Sequence, residues 1–212
     1  MSLKNMHDLN SVHFDVLREI GNIGQGNAAS SLAQMLGLSI DISVPTVRLL
    51  EMDEAVQYLG GPENVVLGML VGLSGEIQGM MLYVLQRGFA TNMINTVFGK
   101  DVKELTALDE MDLSFVQEIG NILAGSYVNA ISSLTGLTID ISVPNICIDM
   151  AGAILAVPAV EFAHIGSKVL FIDDNFIFGG DGSNPEEVKS NMILVPELKS
   201  LDTLFQHLGV EV

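Results

Sequence analysis

Apolar residues recur at helical spacing in two places, Val12, Val16, Ile20 and Ile23, and again Val116, Ile119 and Leu123, which predicts two amphipathic helices with those positions facing a core. The entry signals agree. Asn10 or Ser11 can cap the first helix, and Thr106-Ala107-Leu108-Asp109 forms a capping-box pattern ahead of the second. Gly37 and Gly136 stand where each helix would end in a left-handed residue. Both are followed by Ile-Asp-Ile-Ser-Val-Pro, a strict alternation that predicts a strand with Ile40, Ile42 and Val44 on one side. Pro45 and Pro144 remove a ladder donor and so mark an edge, a bulge or the end of that strand.

These two stretches are copies of each other. Residues 15–45 and 114–144 align without a gap at an offset of 99 residues, with 14 identities in 31 positions. A period of that size is too long for a solenoid and implies one duplicated supersecondary unit arranged about a pseudo-two-fold axis. Outside this core the copies diverge. Val65 to Leu73 and Glu76 to Leu85 read as strands around a Ser74-Gly75 turn, and Phe89 to Phe98 as a helix before Gly99. In the second half Lys168 to Phe178 and Asn191 to Val195 read as strands, the Gly179 to Glu187 segment as a polar loop, and Glu197 to Leu208 as a helix.

Helices followed by runs of strands indicate an α+β fold. No linker-like composition separates the copies, so the expectation is a single domain over residues 1–212, with repeat 1 at about 10–99 and repeat 2 at about 106–212.

Composition narrows the function classes. With 49% hydrophobic and 17% charged residues the chain is too apolar for disorder. Its longest apolar runs, Val65 to Leu73 and Met150 to Val160, fall short of the roughly 20 residues a membrane helix needs. The start of the chain lacks the apolar run of a signal peptide, so the expectation is a cytoplasmic protein without membrane insertion. A formal charge of -17 with scattered cations argues against nucleic acid as partner. Cys147, alone in the strand-like Ile146-Cys147-Ile148, reads as a small buried hydrophobe, and the four histidines show no ligand spacing with it, so no metal site is expected.

Candidate chemistry lies on the repeated helix. Asp15, Glu19 and Asn22 stand at i, i+4 and i+7, within an arc of about 60°, and Ser114, Glu118 and Asn121 repeat the stripe. Arg18 has drifted to Gln117 and Gln34 to Ser133, whereas Glu and Asn have stayed. A solvated helix face is the alternative explanation. Each Asn follows a glycine, Gly21 or Gly120. A helical glycine costs roughly 0.8 to 1 kcal/mol relative to alanine, so the pair implies close approach of another backbone, either the other copy's helix or a docked partner. A phosphate-binding loop at residues 21–26 is excluded because the glycine spacing is wrong, no strand precedes it, and Leu123 replaces the middle glycine in the second copy. No His or Cys lies near either stripe to form a nucleophilic triad.

The pattern Asp or Ser, three residues, Glu, two residues, Asn, twenty-two residues, Pro resembles the signature of the CheC, CheX and FliY phosphatase family. It is met twice, at Asp15, Glu19, Asn22 and Pro45 and at Ser114, Glu118, Asn121 and Pro144. Two copies in a short chain are closest to the CheC type. The resemblance implies a phosphatase acting on the aspartyl phosphate of the chemotaxis response regulator CheY, which brings its own Mg2+, lysine and hydroxyl, so no cofactor or metal is expected on this chain. It further implies catalytic roles for Glu19, Asn22, Glu118 and Asn121. A carboxamide can accept from an attacking water and donate to phosphoryl oxygens without adding negative charge, which suits Asn22 and Asn121. The resemblance gives Glu19 and Glu118 to the receiver's lysine. Asp15, Ser114, Gly21 and Gly120 are expected to dock or order the stripe, and Pro45 and Pro144 to be structural. An adaptor that binds phosphorylated CheY or the receptor deamidase CheD without turnover remains the alternative.

Overall fold

The computed structural model describes residues 3–161, 167–179 and 186–211. Its helices are α1 (Ser11–Leu36), α2 (Met52–Tyr58), α3 (Arg87–Phe98), α4 (Glu110–Thr135), α5 (Ala151–Glu161) and α6 (Leu198–His207). Its strands are β1 (Ser39–Ile42), β2 (Thr46–Glu51), β3 (Val65–Gly75), β4 (Gly79–Leu85), β5 (Ile139–Ile141), β6 (Asn145–Met150), β7 (Lys168–Gly179) and β8 (Glu186–Pro196). The strands form one antiparallel sheet with the path β1-β7-β8-β4-β3-β5, in which β2 also pairs with β7 and β6 with β3. Most of the polar loop read at Gly179 to Glu187 lies outside the described residues.

The pseudo-two-fold axis passes between β4 and β8, which pair with each other at the sheet centre, Tyr83 opposite Met192. The copies are interlocked. β1 and β2 of the first copy pair with β7 of the second, while β5 and β6 of the second pair with β3 of the first. Each edge is one line of strand broken in two at a proline. Pro45 separates β1 from β2 and Pro144 separates β5 from β6, and both rings are buried. This is where a residue without an N–H belongs in a sheet.

Both faces of the sheet are covered at its centre, so the central strands alternate between two cores, while the edge strands β1, β5 and β6 alternate between core and water. Leu67, Met69, Tyr83, Leu85, Ile172 and Met192 face α1, α3, α4 and α6. Val66, Leu82, Val84, Phe171 and Ile193 face α2 and α5. These two helices escaped the sequence reading for different reasons. α2 has only seven residues. α5 is apolar nearly all round, with Pro158 inside it, and so offers no periodicity to detect.

Helix ends follow the local chemistry. The Asn10 side chain accepts from the backbone N–H groups of Val12 (2.9 Å) and His13 (3.3 Å), and His13 Nδ1 accepts from Asn10 N (3.0 Å). At α4 the cap is Asp109 rather than a box beginning at Thr106. Its carboxylate accepts from Asp112 N, Asp112 accepts in return from Asp109 N, and Lys100 Nζ reaches both carboxylates at 2.7 Å. Such caps contribute about 1 kcal/mol each. Gly37 and Gly136 close the helices at φ 66° and 74°, the left-handed conformation that favours glycine.

Three sequence expectations are corrected. The stripe of α1 buried in the core is His13, Leu17, Ile20, Gly24, Gln25 and Ala28; of the expected positions Ile20 is buried and Val16 packs half-buried against the core, whereas Ile23 is half-buried outside that cluster and Val12 is exposed. Hydrophobic spacing missed it because two buried members, His13 and Gln25, are polar. Val44 is exposed because the strand stops at Ile42. Cys147 is exposed, because Ile146 and Ile148 are the β6 residues that pack on the core and the residue between them points away.

Candidate functional site

α1 and α4, each 26 residues long, pack against each other over one face of the sheet. The repeated stripes point away from that face. Glu19, Asn22 and Glu118 are exposed and Asn121 is half-buried. None of these four side chains makes a hydrogen bond or ion pair with another described residue, so their donors and acceptors are free for a partner. Two outward carboxylates and two outward carboxamides, one turn apart on rigid helices, can position water and donate hydrogen bonds to an anion.

Asp15 and Ser114 behave differently. Asp15 is paired with Arg18, and the Ser114 hydroxyl donates to the Glu110 carbonyl at 2.9 Å. Both are exposed, and an exposed pair of this kind contributes only about 0.3 to 0.5 kcal/mol, so a partner can displace Arg18 at little cost.

The two glycines before the asparagines are buried. They admit a proline from their own copy rather than a partner's backbone. A β-carbon on Gly21 would stand 3.3 Å from Pro45 Cγ, and one on Gly120 3.3 Å from Pro144 Cβ and Cγ. This explains why helix glycine and strand proline occur together: the edge strand breaks where the helix lies closest. In the second copy the Gln117 side chain also donates to the Pro144 carbonyl at 3.0 Å. The other copy's helix reaches Gly21 only through the Tyr127 side chain; its backbone comes close at Gly24, whose β-carbon would meet the Tyr127 Cα at 3.1 Å and its ring at 2.9 Å.

Sequence reasoning missed the residues that back the glycines from behind, Tyr127 at Gly21 and Met69 at Gly120. Each belongs to the opposite copy, and no local pattern signals a contact of that separation. Among the described residues no group of His, Cys, Asp and Glu is arranged to hold a metal ion, and no helix is long and apolar enough to cross a membrane.

Comparison with known proteins agrees with this geometry. The CheC-like family is matched over residues 12–49 and 111–148, the two helix and strand units. The chain is 36% identical over 198 residues to the CheY-P phosphatase CheC of Bacillus subtilis, spanning 92% of this chain and 93% of that protein. It is 31% identical over 140 residues to the flagellar motor switch phosphatase FliY of the same organism, covering 66% of this chain and 36% of that one. In fold it superposes on the crystal structure of Thermotoga maritima FliY with a TM-score of 0.72 at 24% identity, covering 95% of this chain and 98% of that one. The middle domain of Helicobacter pylori FliM gives 0.67 at 11% identity, covering 94% of this chain and 99% of that one, a likeness of fold. Two interlocked helix and strand units, each with its Glu, Asn, Gly and Pro in register, together with this identity over nearly the full length, place the chain in the CheC-like family.

Proposed function

We propose that this chain hydrolyses the aspartyl phosphate of a CheY-type response regulator, using two separate sites on α1 and α4. The observation that carries the reading is the pair of Glu and Asn residues on each helix, Glu19 with Asn22 and Glu118 with Asn121, at the surface and without a hydrogen-bond or ion-pair partner among the described residues, in a protein so similar to a CheY-P phosphatase.

The reaction is attack of water on phosphorus, with cleavage of the P–O bond to the receiver's aspartate and release of inorganic phosphate. The receiver supplies the metal and a lysine, so the phosphatase contributes positioning and electrostatic stabilisation. The Asn22 or Asn121 carboxamide accepts a hydrogen bond from the attacking water and donates to the phosphoryl oxygens. Glu19 or Glu118 pairs with the receiver's lysine, keeping its negative charge away from phosphorus. No metal bound by this chain takes part.

Phosphate release from a receiver charged with acetyl phosphate and Mg2+ tests this. Removing a group that stabilises a transition state typically costs about 10² to 10³ in rate, so Asn22→Ala combined with Asn121→Ala should lower turnover on that scale. Full turnover in a folded double variant would overturn the assignment. Tight binding of the phosphorylated receiver with no release by the unaltered protein would favour the adaptor reading.

A further inference from the structure

Beneath the first site lies a cluster of polar side chains that the reaction does not use. Gln25 of α1, Tyr127 of α4, Tyr83 of β4 and Asp174 of β7 are 1%, 3%, 1% and 3% exposed. Gln25 Nε2 donates to the Asn175 carbonyl at 3.0 Å, whereas Gln25 Oε1, both tyrosine hydroxyls and Asp174 Oδ1 have no partner among the described residues. Burial, and secondarily the Asp174 carboxyl, pushes both tyrosine hydroxyls well above the usual phenol range, which places the three groups within one another's fields.

The cluster is one-sided. Ile42 pairs with Phe176 as Ile141 pairs with Leu73, so the two-fold carries Asp174 onto Val71. Tyr83 likewise corresponds to Met192, because Met69 pairs with Tyr83 as Ile172 pairs with Met192. The repeat offset turns Gln25 into Ala124 and Tyr127 into Ala28. All four counterparts are apolar. An unpaired buried polar group is destabilising, so polarity under one site alone calls for an explanation specific to that site.

The contacts of Gly21 supply it. Glycine is the most conformationally free residue in a helix, and here it immediately precedes Asn22. The Tyr127 hydroxyl lies 2.7 Å from the point a Gly21 β-carbon would occupy, filling that space, while Pro45 closes the other side at 3.3 Å. At Gly120 the matching space is closed by the thioether of Met69, at 3.0 Å, a side chain with three rotatable bonds. We propose that Tyr127 is a positioning residue of the first site, its hydroxyl immobilising the Gly21–Asn22 step from the opposite copy. The first site is therefore clamped by a rigid ring and the second by a flexible chain.

This rests on the reading of Asn22 as the group that orients water, and Tyr127→Phe tests it while keeping the ring against Gly24. Amide hydrogen exchange along both helices and phosphate release in the Asn121→Ala and Asn22→Ala backgrounds are measured together. Exchange at residues 21–23 should accelerate with none at 120–122. The first site acting alone should lose about tenfold in kcat with KM unchanged, the scale expected when a reacting group is displaced by a fraction of an ångström, and the second site acting alone should be unaffected. Unchanged exchange at residues 21–23, a level first-site rate, or equal losses in both backgrounds would overturn the proposal. Failure of the Asn22 reading itself has a different signature: exchange at residues 21–23 accelerates, yet the double asparagine variant retains full turnover.

Discussion

Gly120 touches the ring of Pro144 so closely that a β-carbon would stand 3.3 Å from two of its atoms, and Gly21 meets Pro45 at the same distance. Helix glycine and strand-breaking proline are thus one device for bringing each stripe-bearing helix down onto the sheet edge.

Alanine scanning of the helical glycines should separate crowding from helix propensity. Gly24→Ala places a methyl 2.9 to 3.1 Å from the ring and backbone of Tyr127, and overpacking of this kind typically costs about 1 to 3 kcal/mol. Gly125→Ala meets nothing within 4 Å and should gain up to about 1 kcal/mol. Urea unfolding midpoints check both signs, and a stabilising Gly24→Ala would mean that α1 and α4 sit farther apart than described.

Asp174 should make the fold less stable as pH rises. Burial, reinforced by Asp173, pushes its carboxyl well above the carboxylate range. The folded state therefore holds a proton that the unfolded chain releases near pH 3.9. This contribution to stability is complete below about pH 3.9 and is lost as pH rises through the folded-state value, at up to about 1.4 kcal/mol per pH unit. Asp174→Asn removes the titration, so its stability relative to the unaltered protein should increase from pH 4 toward pH 8. A constant difference across that range in denaturant titrations would show that Asp174 ionises in the folded state as readily as in the unfolded chain.

Binding and turnover should divide between the two residues of a stripe. Glu118→Ala should weaken the complex with a receiver trapped by a phosphate mimic, because it removes a charge pair, whereas Asn121→Ala should largely spare affinity and lower turnover. Titration calorimetry decides, and equal losses of affinity from the two changes would refute the division.

The two sites should contribute separately and unequally. Each single asparagine variant is expected to retain partial steady-state turnover, with losses of different size, because Gly24, Gln25 and Asn27 near the first site become Leu123, Ala124 and Ser126 near the second. If either single variant abolishes phosphate release while its circular dichroism is unchanged, one copy is silent or the sites act as a composite.

The two long helices, the α1 cap, the glycine ends, the duplication and the Glu and Asn pairs could be read from the chain because each is a local matter. Caps depend on residues three apart, amphipathic faces on a period of 3.6, and the repeat on comparing the chain with itself. The stripes were legible for the same reason, since Glu19 and Asn22 need only a helix to share a face. Tertiary structure alone decided that β1 and β2 complete the other copy's sheet, that Gly21 rests on Pro45 rather than on a partner, that Cys147 faces outward, and that α5, lacking any polar face, is a helix at all. It alone also buried Gln25, Tyr83, Tyr127 and Asp174 together under one site, four polar residues from four elements with no sequence spacing in common. Burial and cross-copy pairing are set by contacts between residues far apart in the chain, and hydrophobic periodicity records only which side of an element is apolar, not what that side will meet.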